Sequence, residues 1–375
     1  PTTFEDGEDG YTPTDYNGYQ GNITVRRAVE SSQNIPFVKI MEQLTPKASI
    51  NFMEKMGITT LTEVDNNINL ALGGLDKGIS PLEMAGAYAT IANDGFYIEP
   101  TFYSRVTDDA DNIVFQCKPV EQRARRVMSD QSAYITKNIL ETVVTRGTAT
   151  YCSVPGMSVG AKTGTTNNDY DRWLCGFTPY YTTACWFGYE YKATVYYGGG
   201  NPAGQIWSGI MRTIHNGLPG RGFDRPGGLV NVNVCKQTGK VATNACTSVY
   251  TEVFKEGTVP GRCNGHQVVN ICNETGLKAT DKCPNVTPTT YTTSLDYENN
   301  ASWRNVGGNV ATPPANTCPN PHTPAQPATP PAQTQPTTQP TQTQPTTPPA
   351  QTQPTTPPAQ TQQQTTPAPG NTTTP

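Results

Sequence analysis

The sequence predicts an α+β domain in which an antiparallel sheet is covered by helices. Capped segments with helical apolar spacing fill roughly the first 147 residues, short strand patterns follow, and an amphipathic helix closes the run. Within 22–32 (NITVRRAVESS), Ile23, Val25, Ala28 and Val29 recur at near-helical spacing, and a tight turn before Pro36 ends the pattern. Thr45-Pro46 reads as an N-cap with proline at the first helical position. That helix runs through Ile50, Met53 and Met56 to a stop at Gly57. Ser80-Pro81-Leu82-Glu83 is a capping box opening a buried helix through Met84, Tyr88 and Ile91 to about Gly95. Ser129 caps another, with Tyr134, Ile135, Ile139, Leu140, Val143 and Val144 on its apolar face and Gly147 after it. Strand patterns cover 157–165, 172–178 and 183–190. A glycine-rich loop (Gly198, Gly199, Gly200) then leads to the last helix, 205–215.

These elements make a first unit at 1–217. A second, 218–310, holds an internal repeat from Val230 onward. Residues 234–246 (VCKQTGKVATNAC) and 271–283 (ICNETGLKATDKC) both read [VI]-C-x-x-T-G-x-x-A-T-x-x-C, which is duplication. After Arg304 there is no Asp, Glu, Lys or Arg, and Pro, Thr, Gln and Ala dominate. The segment 311–375 is therefore expected to be a disordered, extended tail, because it has too little apolar surface to offset its ordering entropy. The net charge of −4 is weak and spread out, which argues against a nucleic acid partner. The chain opens at Pro1 inside a Tyr/Gly/Asp-rich stretch, with no initiator Met, signal peptide or membrane-length apolar run. It is expected to be the carboxy-terminal part of a longer protein.

Two short motifs carry chemistry. Ala161-Lys162-Thr163-Gly164-Thr165-Thr166 sits on a strand running into a turn. There Gly164 lets another backbone approach closely, Lys162 supplies positive charge, and the threonine hydroxyls can bind a carboxylate. Ser32-Gln33-Asn34 stands at a helix end before Pro36. Either alone is common: a surface strand with a solvated lysine in one case, an ordinary helix-terminating turn in the other.

Their order is informative. S-x-N and K-T-G, with S-x-x-K, form the signature of penicillin-binding proteins and class A β-lactamases. The surrounding blocks GNITVRRAVESSQNIPFVKI, NLALGGLDKGISPLEMAGAYATIANDG, VVTRGTA, GAKTGTTNNDYDRWLCGFTP and YYGGGNPAGQIW resemble successive blocks of the class A (bifunctional) penicillin-binding protein transpeptidase domain, over about residues 10–217. The resemblance implies a penicillin-binding fold and a serine acylated by a stem peptide ending in D-Ala-D-Ala, the acyl group then passing to an acceptor amine. It also implies β-lactams as ligands and an extracytoplasmic place at the cell membrane, facing the cell wall. The parent protein would carry a glycosyltransferase domain and a membrane anchor before Pro1. Position by position, Ser32 would relay a proton to the leaving amine, and Asn34 would hold the donor's amide. Lys162 would hydrogen-bond Ser32. Thr163 and Thr165 would bind the terminal carboxylate beside Gly164, the Thr165 N–H giving half of an oxyanion hole. No cofactor or metal is required for this chemistry. The three histidines (His215, His266, His322) are not placed as a triad base.

The sequence departs from that pattern at the nucleophile. No lysine is preceded three residues earlier by serine, so S-x-x-K is absent; the serine and its lysine are expected upstream of Pro1, and the chain alone should not acylate. Rival readings are hydrolysis on the same scaffold (a D,D-carboxypeptidase or β-lactamase) and a non-catalytic wall-binding scaffold built on the repeats and tail.

Ten cysteines without C-x-x-C spacing point to an oxidising compartment. Cys175 and Cys185 flank the turn 178–183; in a hairpin centred on Tyr180 they would face one another, as a disulfide or as two buried thiols. The equal spacings of Cys235/Cys246 and Cys272/Cys283 favour one disulfide closing each repeat. A zinc site combining Cys263-x-x-His266 with repeat cysteines is the competing reading.

Overall fold

The computed structural model describes residues 11–21, 23–292 and 312–319. Helix α1 (Val25–Glu30) is capped by the Thr24 hydroxyl, and α2 (Ile35–Leu44) follows after one turn. Pro36 therefore opens a helix as well as ending the previous one, since its fixed φ suits a first turn whose N–H groups have no helical partner. Helix α3 (Pro46–Lys55) has the expected Thr45 cap, and α4 (Pro81–Ala92) has both halves of its capping box, Ser80 Oγ to the Glu83 N–H and the Glu83 carboxylate back to Ser80. Two hairpin-like pairs lie between α4 and the next long helix. Strand β1 (Phe96–Ile98) pairs with β4 (Ala124–Arg126), and β2 (Arg105–Thr107) pairs with β3 (Ile113–Gln116); the short α5 (Val120–Arg123) precedes β4. Helix α6 (Asp130–Arg146) is capped by Ser129 and ends at Gly147, as its sequence predicts.

The main sheet is an antiparallel meander, β5 (Gly160–Thr165), β6 (Asp171–Phe177) and β7 (Thr182–Gly188), in the order β5-β6-β7. Helix α7 (Pro202–Ile214) closes the unit. Both faces of the sheet are covered. On one, Leu140 of α6 and Phe177 crowd Gly160, and the Tyr88 ring of α4 lies 6.4 Å from that of Phe177. On the other, Trp207 of α7 meets the point where Gly176 would carry a Cβ, beside Ala161. Trp207, Phe177, Leu174, Val143 and Met211 are fully buried in this core, each worth about 1.5–3 kcal/mol relative to exposure.

The register corrects one expectation. Cys175 pairs with Ala184 and Cys185 with Leu174, because the turn centres one half-step earlier than Tyr180. Alternation along a strand then puts the two cysteines on opposite faces of the sheet, where each is a buried thiol and neither can bond the other.

The repeat folds as two hairpins, β8 (Leu229–Cys235) with β9 (Val249–Lys255) and β10 (His266–Cys272) with β11 (Val286–Thr292). The duplication extends to individual hydrogen bonds. Gly239 N–H donates to the Cys235 carbonyl as Gly276 does to that of Cys272, and Ala242 N–H donates to Asn233 as Ala279 does to Asn270. Residues 312–319 return to the second hairpin, where Lys278 bridges Thr317 in parallel as Val241 bridges Arg262 in the first. That stretch of the expected tail is thus part of the repeat; the remainder of 311–375 lies outside the described residues.

The first hairpin also holds on to the helical layer. Arg26 of α1, 5% exposed, is gripped by both carboxylate oxygens of Glu252 on β9, with Nε–Oε2 at 2.8 Å, and by the side chain and carbonyl of Asn138 on α6.

Candidate functional site

Lys162 and Ser32, 130 residues apart, meet at the edge of the sheet. Lys162 Nζ donates to Ser32 Oγ at 2.7 Å and to its neighbour Thr163's carbonyl at 2.9 Å. Three local arrangements bring them there. Strand β5 is an edge strand, and alternation along it turns Lys162 to the same face as Gly160, toward Ser32 beyond the end of α1. Ser32 follows the last turn of α1 with φ of +52°, a left-handed conformation that costs a non-glycine residue about 1–2 kcal/mol and turns its hydroxyl off the helix axis. The Gln33 N–H closes that turn onto the Ala28 carbonyl.

The end of α1 is held from two sides. Glu30 is buried and ion-paired to Arg146 at the end of α6, and its carbonyl accepts from Thr148 N–H. Gly147 is required between them, since a Cβ there would lie 2.6 Å from the Glu30 carbonyl oxygen. Thr148 in turn shares a hydrogen bond with Thr163 at 2.9 Å, so the block VVTRGTA links the two motifs. On the other side Asp15 Oδ1 accepts from the N–H groups of Asn34 (2.6 Å) and Ile35 (3.1 Å), capping α2 in place of a local side chain. The Asn34 carboxamide donates to the Thr14 carbonyl at 2.7 Å.

Of the residues predicted from sequence, Ser32 and Lys162 are in direct contact, and Thr163, Gly164 and Thr165 continue along the same strand toward solvent, Thr165 being exposed. Asn34 is one turn away and turned toward residue 14. Asp15, Glu30 and Thr148 carry no motif; their roles appear only once the chain is folded. Burial lowers the Lys162 ammonium from its ordinary range to about 8, because it sits among protein atoms with no carboxylate partner among the described residues. An amine so placed offers positive charge to an anionic ligand and exchanges its proton near neutral pH.

Beyond this site, the expectation of one disulfide per repeat is not met: among the described residues no disulfide joins any two of the ten cysteines. They are gathered differently. Cys235, Cys246, Cys263 and His266 place their ligand atoms within 4.8 Å of one another, and so do Cys272, Cys283 and Cys318. No helix among the described residues is long and apolar enough to cross a membrane.

A family model described as penicillin binding protein transpeptidase domain matches residues 3–212, and one described as penicillin-binding protein 1A, C-terminal domain, matches 225–268. Penicillin-binding protein 1A of Clostridium botulinum is 34% identical over 257 residues, covering 66% of this chain and 30% of the relative. Penicillin-binding protein 2D of Bacillus subtilis is 31% identical over 267 residues, covering 68% and 37%. The chain thus spans about a third of the length of these curated relatives. Among solved structures, penicillin-binding protein 1A from Haemophilus influenzae aligns with a TM-score of 0.59 at 24% identity, over 70% of this chain and 44% of that one. The PonA1 protein from Mycobacterium tuberculosis in complex with penicillin V aligns at 0.50 and 25% identity, over 58% and 63%. The α+β architecture is that of these transpeptidase domains.

Proposed function

We propose, from the premise that the chain belongs to the penicillin-binding protein transpeptidase family, that its site receives a peptide ending in D-Ala-D-Ala and supports serine acyl transfer to an acceptor amine in peptidoglycan cross-linking. The observation that carries this reading is the 2.7 Å contact between Lys162 Nζ and Ser32 Oγ, which joins two motifs into one electropositive edge. The division of labour follows from the donors present. With its oxygen accepting from Lys162, Ser32 keeps its own hydroxyl proton to deliver to the leaving amine. Lys162, with its proton labile at about 8, can then reprotonate Ser32. The Thr163 and Thr165 hydroxyls and the Lys162 charge suit a terminal carboxylate, and an edge strand can pair with an extended peptide backbone, Gly164 keeping that approach open. Asn34 binds the donor's amide once its contact with Thr14 is exchanged for substrate.

In this reading 1–217 is the transpeptidase unit, 218–310 a bracing appendage and 311–375 largely a tail that extends into wall material. The longer protein also acts as a glycosyltransferase and is held at the extracytoplasmic face of the membrane, where β-lactams reach it. The acylated serine is not among these residues, since no S-x-x-K occurs in the sequence. The test is labelling with fluorescent penicillin. The isolated chain stays unlabelled, whereas the chain extended by its upstream coding sequence is labelled and holds the label through washing. Covalent labelling of the isolated chain, or rapid turnover of the label by the extended one, contradicts the proposal.

A further inference from the structure

We propose that Cys235, Cys246, Cys263 and His266 form a closed structural zinc site that locks the first repeat hairpin. The inference starts from the composition of the cluster. Three sulfur atoms and one imidazole nitrogen lie within 4.8 Å of one another, drawn from the end of β8, the turn after it, the loop before β10 and the first residue of β10. A tetrahedral zinc ion bonds sulfur at about 2.3 Å and nitrogen at about 2.0–2.1 Å, which sets its ligand atoms about 3.5–3.8 Å apart. The gathered atoms, none more than 4.8 Å from another, lie within about 1.3 Å of that spacing. A disulfide would consume two of the three thiols and leave a thiol and an imidazole stranded in the interior; a four-ligand centre uses all of them.

Two further observations point to a metal. His266 is 8% exposed, and its Nδ1 has no hydrogen-bond partner among the described residues, while Nε2 lies 3.2 Å from Cys235 Sγ. The ring thus presents Nε2 to the sulfurs, the atom through which it would bind zinc. Two of the sulfurs also accept hydrogen bonds from neighbouring residues. Thr243 N–H donates to Cys246 Sγ at 3.3 Å and the Thr238 hydroxyl to Cys263 Sγ at 3.3 Å, the outer-shell bonds that orient metal thiolates.

The three-cysteine part of the cluster recurs in the second copy. Cys272, Cys283 and Cys318 converge as their counterparts do, Thr280 N–H donates to Cys283 Sγ at 3.3 Å, and the Cys318 N–H bonds Lys278 as the Cys263 N–H bonds Val241. A grouping rebuilt across unequal connecting loops is a requirement of the repeat, not an accident of one hairpin. Zinc binding releases the three thiol protons and changes no oxidation state, and with all four positions filled by protein the centre has no place for a substrate.

The test uses the full 375-residue chain, purified anaerobically, incubated with excess Zn2+, desalted and analysed for bound metal by mass spectrometry. His266→Ala and Cys263→Ser each bind one zinc fewer per chain than the unsubstituted protein. His266→Cys, which restores a fourth ligand, binds as much as the parent. Cobalt in place of zinc gives the intense visible bands of tetrahedral sulfur ligation, and they lose intensity in His266→Ala. Removing the metal speeds amide exchange in 229–272 and leaves β5–β7 unchanged. Equal zinc contents in the parent and both ligand-loss variants overturn the proposal, as does a His266→Cys variant that fails to regain metal while its far-ultraviolet circular dichroism matches the parent's.

Discussion

The K-T-G edge and the cysteine repeat present opposite problems. In the first, chemistry is written in contiguous triplets, and folding only brings two of them together: Lys162 reaches Ser32 across 130 positions. In the second, the triplets look unremarkable and the duplication is plain, yet the ligand set exists only after three segments converge. Contiguous motifs locate a site whose parts are long strands and helix ends. A site assembled from turns is only half legible: Cys263-x-x-His266 stands in the sequence, and folding shows which repeat cysteines join it.

The largest effect expected concerns the first region. In the extended, acylation-competent protein, Lys162→Ala lowers the rate of penicillin acylation by about two to four orders of magnitude, the usual range for a lost proton-transfer group. Stopped-flow or gel labelling reads it, and a change below about tenfold would make Lys162 a structural residue. The join between the two regions comes next. Arg26 is buried against Glu252, so Glu252→Ala leaves a buried guanidinium with Asn138 but no counter-charge and costs about 3–5 kcal/mol in denaturant unfolding. The exposed Arg221–Asp224 pair offers the contrast: Asp224→Ala changes stability by less than about 1 kcal/mol. Similar losses at both positions would mean that β9 does not brace α1.

A pH measurement on the isolated chain sharpens the same comparison. The folded protein holds Lys162 at about 8, below its ordinary value of 10.5, because burial disfavours the ammonium. Its charge therefore costs stability in full below about pH 8, and the cost is relieved as pH rises from about 8 to 10.5, where the unfolded chain binds the proton more tightly. Lys162→Met is accordingly more stable than the parent at pH 7.5, by a margin that shrinks toward pH 10.5. A margin independent of pH would place the lysine in solvent. The smallest effect belongs to a local signal: Ser80→Ala removes the α4 cap and costs about 1 kcal/mol by thermal unfolding.

Those caps show where the sequence was readable. Thr45-Pro46, Ser80-Pro81-Leu82-Glu83 and Ser129 each encode a helix start in adjacent residues, and all three helices begin there. Helix α2 was not anticipated because its cap, Asp15, lies about twenty residues away and its proline reads equally well as a terminator. The sheet order was legible from the meander, but the facing of Cys175 and Cys185 was not; one half-step in the turn decides it, and turn centres are poorly specified by composition. Ser32 and Lys162 were found through motif order, whereas Thr148 and Glu30 act through backbone groups that any residue type supplies. In the repeat, the third cysteine of each copy follows the second by different intervals, Cys246 to Cys263 and Cys283 to Cys318. Alignment by fixed spacing therefore stops before the parallel bridges that return Arg262 and Thr317 to the hairpins.

The account rests on Ser32 and Lys162 working as one unit. A double-mutant cycle, Ser32→Ala, Lys162→Ala and the pair, read as acylation rate by fluorescent penicillin in the extended protein, tests it directly. The expected result is strong non-additivity, with a coupling energy of about 1–3 kcal/mol and a double variant little slower than the worse single one. Effects that simply add would show that the two motifs lie side by side without sharing a proton.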